Sequence, residues 1–187
     1  MGDLAAEIRE AALLEGNFVL RSGKRSNYYL DKYRFSTRPD LLAALGAAIA
    51  AEVAEHEPEA VRLAAPELGA VPLAAAASLE SGLPFVIVRN AAKAYGTGNR
   101  IEGVFEPGER VCLIEDVVTA GGAALEAVAA LRAAGLDVST VVCVVDREEG
   151  GADALARAAV RLRPLLLASE VRASGATPGA GGAGRAV

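Results

Sequence analysis

One segment, residues 111–123 (VCLIEDVVTAGGA), constrains the fold more than any other part of the chain. It begins with an uninterrupted apolar run, which is typical of a strand buried on both faces of a parallel sheet. Two adjacent carboxylates, Glu115 and Asp116, follow where that run ends. Residues 119–122 (TAGG) then open an Ala/Leu-rich helix that ends at Gly135. The segment therefore predicts a strand–turn–helix unit with acidic groups at the carboxyl end of the strand.

Such a unit is suited to binding a phosphate. The free N–H groups and the positive dipole end at a helix N-terminus attract anions, and phosphate is the usual anion. Carboxylates beside it suit ribose hydroxyls or a hydrated Mg²⁺ rather than the phosphate itself. Ligands of open α/β sheets bind at the carboxyl ends of the strands. The alternative is an ordinary Gly-Gly turn next to a solvated acidic pair, since short Gly motifs match by chance.

Composition excludes several classes of function. The 187 residues are 52% hydrophobic and only 4% aromatic, which predicts one domain with a core of Ala, Val and Leu. The net charge of −5 argues against a nucleic-acid partner. No apolar run approaches the roughly 18 residues that cross a bilayer, and the acidic N-terminus does not resemble a signal peptide. We therefore expect a cytoplasmic protein with no membrane partner.

The chain has too few cysteine and histidine residues to indicate a zinc site or a Cys/His nucleophile. Cys112 and Cys143 both lie in apolar, strand-like runs without metal-ligand spacing, which predicts buried reduced thiols. The single histidine, His56, lies between two glutamates at the polar end of a predicted helix, so we expect it to be solvated. No direct protein ligand for a metal is predicted.

Strands and helices alternate along most of the chain, which is typical of an α/β fold with a parallel sheet. Before residue 61 we predict a helix over 4–14, short strands over 18–20 and 28–31, and a helix over 40–53. From residue 61 we predict strands over 61–64, 85–89, 111–115, 138–145 and 160–167, with helices over 70–81, 123–134 and 152–159. The two early strands are expected to form a hairpin or a small excursion from the main sheet.

Residues 111–123 resemble the signature with which type I phosphoribosyltransferases bind phosphoribosyl diphosphate (PRPP): four apolar residues, two acids, two apolar residues, Thr and small residues. The resemblance implies their fold, a central parallel sheet flanked by helices with a small N-terminal hood. Residues 1–172 would form this domain, with the helix and hood over 1–36, and residues 173–187 a disordered Gly/Ala-rich tail. The implied PRPP contacts here are Glu115, Asp116, Val117, Val118, Thr119, Ala120, Gly121, Gly122 and Ala123.

Residues 18–31 (FVLRSGKRSNYYLD) are similar to the hood signature of orotate phosphoribosyltransferases, Phe-x-Leu-(Lys/Arg)-Ser-Gly-x-x-Ser-x-Tyr. In that family the hood covers the base, which implies orotate contacts for Arg21, Tyr29 and Leu30. Residues 21–38 hold six Lys and Arg residues against one Asp in an otherwise acidic chain. This charge favours a cationic lid over an anionic substrate, although a solvated basic turn is the alternative.

Residues 89–103 (RNAAKAYGTGNRIEG) resemble the mobile catalytic loop of the same family, Arg-Lys-x-x-Lys-x-(His/Tyr)-Gly followed by Ile/Val-Glu-Gly. The resemblance implies PRPP contacts for Arg89, Asn90, Lys93 and Tyr95, and it makes Lys93 a catalytic residue together with Asp116. Asn90 occupies a position where the family usually has Lys. The alternative is an exposed loop with scattered charge.

Residues 65–70 (APELGA) correspond to the family's pyrophosphate loop, whose backbone amides contact the leaving group. Many members carry Lys where this chain has Gly69. Together with Asn90, this leaves the site two cations short of the family pattern. A purely structural turn between strand and helix is the alternative.

Arg147 follows the predicted strand over 138–145. In the family this Arg pairs with the carboxylate of orotate, and Thr119 is a further implied orotate contact. A forked guanidinium suits a planar carboxylate because it donates two parallel hydrogen bonds. The alternative is a surface Arg that pairs with Glu148 or Glu149.

The combined resemblance implies the transfer of the phosphoribosyl group of PRPP to orotate, giving orotidine 5′-monophosphate and pyrophosphate in de novo pyrimidine biosynthesis. It also implies Mg²⁺, held mainly by PRPP and water, and a homodimer that shares the catalytic loop across subunits. Two alternatives stay open: a phosphoribosyltransferase for another base, and a non-catalytic PRPP-sensing regulator.

Overall fold

The computed structural model describes residues 3–19, 23, 25–90 and 100–174. Its elements in chain order are α1 (Leu4–Ala12), β1 (Leu13–Val19), β2 (Arg25–Leu30), α2 (Lys32–Ser36), α3 (Pro39–His56), β3 (Arg62–Pro66), α4 (Val71–Ser81), β4 (Phe85–Val88), β5 (Ile101–Glu102), β6 (Arg110–Val118), α5 (Gly122–Ala133), β7 (Asp137–Asp146), α6 (Gly151–Arg157), β8 (Arg161–Leu167) and α7 (Ala168–Ala173). The predicted tail is described only to residue 174, and its remainder lies outside these ranges.

The main sheet has six strands in the order β5-β4-β3-β6-β7-β8. All neighbouring pairs are parallel except β4 with β5, which is antiparallel at one edge. The predicted parallel α/β sheet is therefore confirmed, with β5 as a short unpredicted addition. Strands β1 and β2 form a separate antiparallel hairpin, which was one of the two predicted arrangements, the other being a small excursion from the main sheet.

The central strand β6 continues beyond the predicted end at residue 115. Its ladder with β7 extends through the pairs Val117 with Val145 and Val118 with Asp146. Asp116 therefore lies within the strand and not after it, Glu115 is not the last strand residue, and both side chains are buried. The predicted strand end was wrong because acidic residues rarely occur in a buried strand, so the acidic pair indicated its end. The strand continues because it pairs with β7, and a local sequence pattern cannot predict such a long-range contact.

Helices cover both faces of the sheet. In β6, Cys112 and Ile114 face one hydrophobic cluster, and Val111 and Leu113 face the other. The first cluster includes side chains of α3 and α4, and the second includes side chains of α5 and α6. This alternation follows from the two-residue period of a strand. The two cysteines are free and buried, as predicted.

Several boundaries differ from the prediction. Helix α1 ends at Ala12 and not at residue 14, because Leu13 and Leu14 pair with residues of β2. The short helices α2 and α7 were not predicted, since one or two turns are too short to show a helical period. His56 is less solvated than expected: its side chain is 24% exposed, and its Nε2 lies 3.3 Å from Glu52 Oε2. Within the described ranges, no helix combines the length and apolar character needed to span a bilayer.

Candidate active site at the carboxyl ends of the strands

A cleft of about 110 Å³ lies at the carboxyl ends of β3, β4 and β6. The first turns of α5 and the start of α2 complete its walls. From the predicted site, the cleft brings together Arg89, Asn90, Glu115, Asp116, Val117 and Ala123. It also contains Lys32, Glu67, Gly69 and Arg100. The expected position of the site, at the carboxyl edge of a parallel sheet, is therefore occupied by charged side chains.

The two acidic residues of β6 are almost fully buried, with 5% of Glu115 and 3% of Asp116 exposed. Burial raises the pKa of Glu115 to about 8, and the neighbouring charge of Asp116 adds to the effect. Among the described residues, no group forms a hydrogen bond with Glu115 Oε1. A buried carboxyl oxygen without a partner is unfavourable on its own, so this geometry is suited to a ligand that supplies hydroxyl groups or a cation.

Asp116 is held by two contacts. Its Oδ1 accepts a hydrogen bond of 2.6 Å from the N–H of Val117, and its Oδ2 lies 2.8 Å from Lys32 Nζ. Burial acts to lower the pKa of Lys32, but the hydrogen bond and charge of Asp116 raise it above its ordinary value of 10.5. Lys32 was missed in the sequence analysis. The available signal was the excess of basic residues in the hood, but the contact itself joins two distant parts of the chain.

The predicted phosphate turn leads directly into α5. Gly121 is the N-cap residue, with φ at 83°, and no side chain caps the helix. Thr119, Ala120, Gly122 and Ala123 are exposed. A left-handed φ of this kind favours glycine, and the amides at the start of α5 are left available to an anion.

Helix α6 supports this turn from behind. A Cβ atom on Gly151 would lie 2.5 Å from the backbone oxygen of Thr119 and 2.5 Å from Val118 Cγ1. A side chain at this position would therefore displace the turn. Gly151 fixes the distance between α6 and the predicted phosphate site.

The ends of the predicted catalytic loop are tied together at its base. The N–H of Arg89 donates to the carbonyl of Arg100 at 2.8 Å, and Arg100 Nε donates to the carbonyl of Arg89 at 3.2 Å. The N–H of Asn90 donates to Glu67 Oε1 at 2.9 Å, which connects this base to the predicted pyrophosphate loop. Lys93 and Tyr95 lie outside the described residues.

Arg147 lies outside the cleft and is more buried than a surface arginine. Only 8% of its side chain is exposed, and its guanidinium stacks 4.9 Å from the ring centroid of Tyr28. Its Nη2 lies 3.0 Å from Glu149 Oε1, so the alternative pairing with Glu149 is present in this structure. Its Nε has no hydrogen-bond partner among the residues described. Arg172 stacks on the same Tyr28 ring at 5.1 Å.

The remaining predicted orotate contacts are distributed over the hood. Tyr29 is 41% exposed and its ring centroid lies 5.6 Å from that of Phe18, whereas Leu30 is buried in the core. Neither residue lines the cleft, and nor does Thr119. Arg21 lies outside the described residues. The residues predicted to contact the ribose and the pyrophosphate therefore lie together in the cleft. The residues predicted to contact the base do not line it, and their roles stay predictions.

Comparison with known proteins identifies the family, although no protein-family model matches the chain. The orotate phosphoribosyltransferase of Methanocella arvoryzae is 50% identical over 156 residues, which cover 83% of this chain and 87% of that protein. The crystal structure of orotate phosphoribosyltransferase from Aeropyrum pernix has a TM-score of 0.81 and 31% identity, covering 91% of this chain and 97% of that one.

A third match was solved with PRPP bound. The Mycobacterium tuberculosis orotate phosphoribosyltransferase in complex with PRPP has a TM-score of 0.77 and 30% identity, covering 91% of this chain and 97% of that chain. All three matches extend over nearly the whole described fold. The predicted type I phosphoribosyltransferase fold is thereby confirmed, and the chain belongs to the orotate phosphoribosyltransferase family.

Proposed function

We propose that this chain transfers the phosphoribosyl group of PRPP to orotate, giving orotidine 5′-monophosphate and pyrophosphate in pyrimidine biosynthesis. The observation that carries the proposal is the buried pair Glu115 and Asp116, which lies near the end of the strand that leads into α5, a helix whose N-terminus has no side-chain cap. A relative that shares this fold has been solved with PRPP bound. One end of the site suits a phosphate and the other suits a ribose, which are adjacent parts of that molecule.

In this proposal the 5′-phosphate binds at residues 119–123, where the amides at the start of α5 and the Thr119 hydroxyl donate hydrogen bonds. Glu115 and Asp116 accept hydrogen bonds from the ribose hydroxyls. As the bond to pyrophosphate breaks, positive charge develops on the ribose ring, and the carboxylate of Asp116 beside the ribose stabilises that charge. The protein acts mainly by positioning and charge, without a covalent intermediate.

We propose Mg²⁺ as the cofactor, held mainly by PRPP and water. The donor set fits, because Mg²⁺ prefers hard oxygen ligands and Glu115 presents a buried carboxyl oxygen without a protein partner among the residues described. Glu115 and Asp116 are the residues that would hold it through water. When bound, Mg²⁺ neutralises charge on the pyrophosphate.

The leaving group would be stabilised by the loop over residues 89–103. Arg89 and Arg100 line the cleft at the base of this loop. We propose that Lys93 contacts the departing pyrophosphate when the loop closes, with Tyr95 and Asn90 as further PRPP contacts. The support for these roles is the match of the sequence to the family's loop.

For the base, we propose that the guanidinium of Arg147 pairs with the orotate carboxylate. Its support is a buried guanidinium that lies over the Tyr28 ring and whose Nε has no partner among the described residues. Orotate would then take over the place that Glu149 occupies beside Nη2. Arg21, Tyr29, Leu30 and Thr119 complete the proposed base site on the resemblance alone. The homodimer and the cytoplasmic location likewise stay predictions.

The test is an assay of orotate consumption with PRPP and Mg²⁺, run beside adenine, hypoxanthine and uracil as competing bases. We expect turnover with orotate and little with the others, because only orotate has a carboxylate for Arg147. Lys93→Ala should lower turnover by orders of magnitude with an unchanged melting temperature, and Glu80→Gln, an exposed change on α4, is the control. Turnover with a different base, or PRPP binding without any turnover, would overturn the proposal.

A further inference from the structure

The hood places the side chain of Lys32 at the end of the cleft where the ribose is proposed to bind. Lys32 is the first residue of α2, and its Nζ lies 2.8 Å from Asp116 Oδ2. Its side chain is 37% exposed, whereas that of Asp116 is 4% exposed. The ammonium group therefore lies at the boundary between the buried carboxylate and the open cleft, where a substrate can reach it.

Gly69 makes room for this ion pair. A Cβ atom built on Gly69 would overlap the Asp116 carboxylate oxygen Oδ2 and lie 3.3 Å from Lys32 Cε. The backbone of Gly69 does not have the left-handed φ that would by itself require glycine. Space, and not backbone conformation, accounts for glycine at this position, because any larger residue would displace Lys32 or Asp116.

The same position explains a departure from the family pattern. The chain has Gly69 and Asn90 at two positions where its resemblance to the family pattern implies Lys. Pyrophosphate is strongly anionic, so a cation that lines this cleft would stabilise it when it is bound. Lys32 reaches the space next to Gly69 from a different element of the fold.

We propose that Lys32 is a PRPP-binding residue, which supplies from the hood the positive charge that other members place on the pyrophosphate loop. An ammonium group has three donors, and among the described residues its one carboxylate partner at salt-bridge distance is Asp116. One donor holds the Asp116 carboxylate at 2.8 Å, and the others contact oxygens of the pyrophosphate. Gly69 is the residue that permits this arrangement. The inference rests on the proposed function.

A structural role is the competing explanation, in which the ion pair only attaches the hood to the sheet. The two roles differ in what Lys32→Met changes. A structural contact affects the melting temperature and both substrates alike, whereas a PRPP-binding residue affects the affinity for PRPP and pyrophosphate and leaves that for orotate nearly unchanged.

The experiment measures binding of PRPP and of pyrophosphate, each with Mg²⁺, by titration calorimetry, together with KM for both substrates. PRPP binding and orotate turnover by the parental chain establish the proposed function independently of Lys32. We expect Lys32→Met to weaken PRPP and pyrophosphate binding by about tenfold or more and to change KM for orotate by less than about twofold. Arg34→Met, an exposed cation on the same helix, is the matched control.

Substitutions at Gly69 test the same inference without removing Lys32. Gly69→Ala should weaken PRPP binding by about tenfold, because its Cβ displaces the ion pair. PRPP affinity within about twofold of the parental value in Lys32→Met, or in Gly69→Ala if Lys32→Met does not fold, would overturn the inference.

Discussion

Two glutamates at opposite ends of the sheet are buried to a similar extent but differ in their hydrogen-bond partners. Glu57, at the end of α3, is 3% exposed and Glu115 is 5% exposed. Glu57 accepts hydrogen bonds from Arg110 at 2.9 Å and Ser139 at 2.8 Å, and further bonds from Thr140 and Arg161. Glu115 has an oxygen with no partner among the residues described.

The pKa values of the two groups move in opposite directions. Burial acts to raise the pKa of Glu57, but the hydrogen bonds from Thr140, Arg110 and Ser139 lower it below 4.5. For Glu115 burial prevails and raises the pKa to about 8. A carboxylate with all its partners stabilises the fold, whereas one without them costs stability and is available to a ligand. The amino end of the sheet is therefore structural, and the carboxyl end is the site.

The largest expected effect concerns the acidic pair at the carboxyl end. Asp116→Asn removes a negative charge that faces the ribose and weakens the contact with Lys32. We expect kcat to fall by about a hundredfold with a melting temperature close to the parental value. Steady-state kinetics and calorimetry measure the two quantities. Asp153→Asn, an exposed change on α6, is the control, and an unchanged kcat in Asp116→Asn would place the chemistry elsewhere.

The second prediction addresses the amino end. Glu57→Ala leaves Arg110, Ser139 and Thr140 without their shared acceptor, so we expect a loss of about 2 kcal/mol in the free energy of unfolding. This corresponds to a melting temperature lower by about 5 °C, with kcat of the folded protein unchanged. Glu59→Ala, an exposed neighbour, should be neutral. A loss of kcat in Glu57→Ala without a loss of stability would contradict the structural role assigned to the amino end of the sheet.

The third and smallest effect is a pH dependence of stability. Because the folded-state pKa of Glu115 is raised, its contribution to stability is fully present below its ordinary pKa of 4.5 and is lost as the pH rises through about 8. Glu57 has the opposite sign, since its lowered pKa contributes stability above 4.5 that is lost as the pH falls.

Melting temperatures of the substrate-free protein across that pH range measure this effect. Glu115→Gln should remove the decline between pH 4.5 and about 8, because glutamine does not titrate. Glu80→Gln, which is exposed, should keep the parental profile. A parental profile in Glu115→Gln would mean that Glu115 is already ionised in the folded protein.

The sequence predicted the parts of this molecule that local pattern determines. The acidic pair, the Gly turn and the helix after it lie within thirteen consecutive positions, 111–123, so their spacing alone indicated a phosphate site. The alternation of apolar strands and Ala-rich helices predicted the parallel sheet for the same reason.

Contacts between distant parts of the chain could not be predicted in this way. The pair of Lys32 with Asp116 and the stacking of Arg147 on Tyr28 depend on how the hood folds over the sheet. The extension of β6 beyond Glu115 depends on its pairing with β7. Contacts between residues far apart in the sequence leave no periodic pattern from which they could be predicted. The composition indicated only that the hood has an excess of basic residues.

A crystal structure of this protein with PRPP and Mg²⁺ would show directly whether the start of α5 binds the 5′-phosphate. We expect the 5′-phosphate within hydrogen-bond distance of the amides at the start of α5, and the ribose hydroxyls facing Glu115 and Asp116. PRPP bound elsewhere, or an α5 N-terminus whose amides are already bonded to protein atoms in the complex, would contradict it.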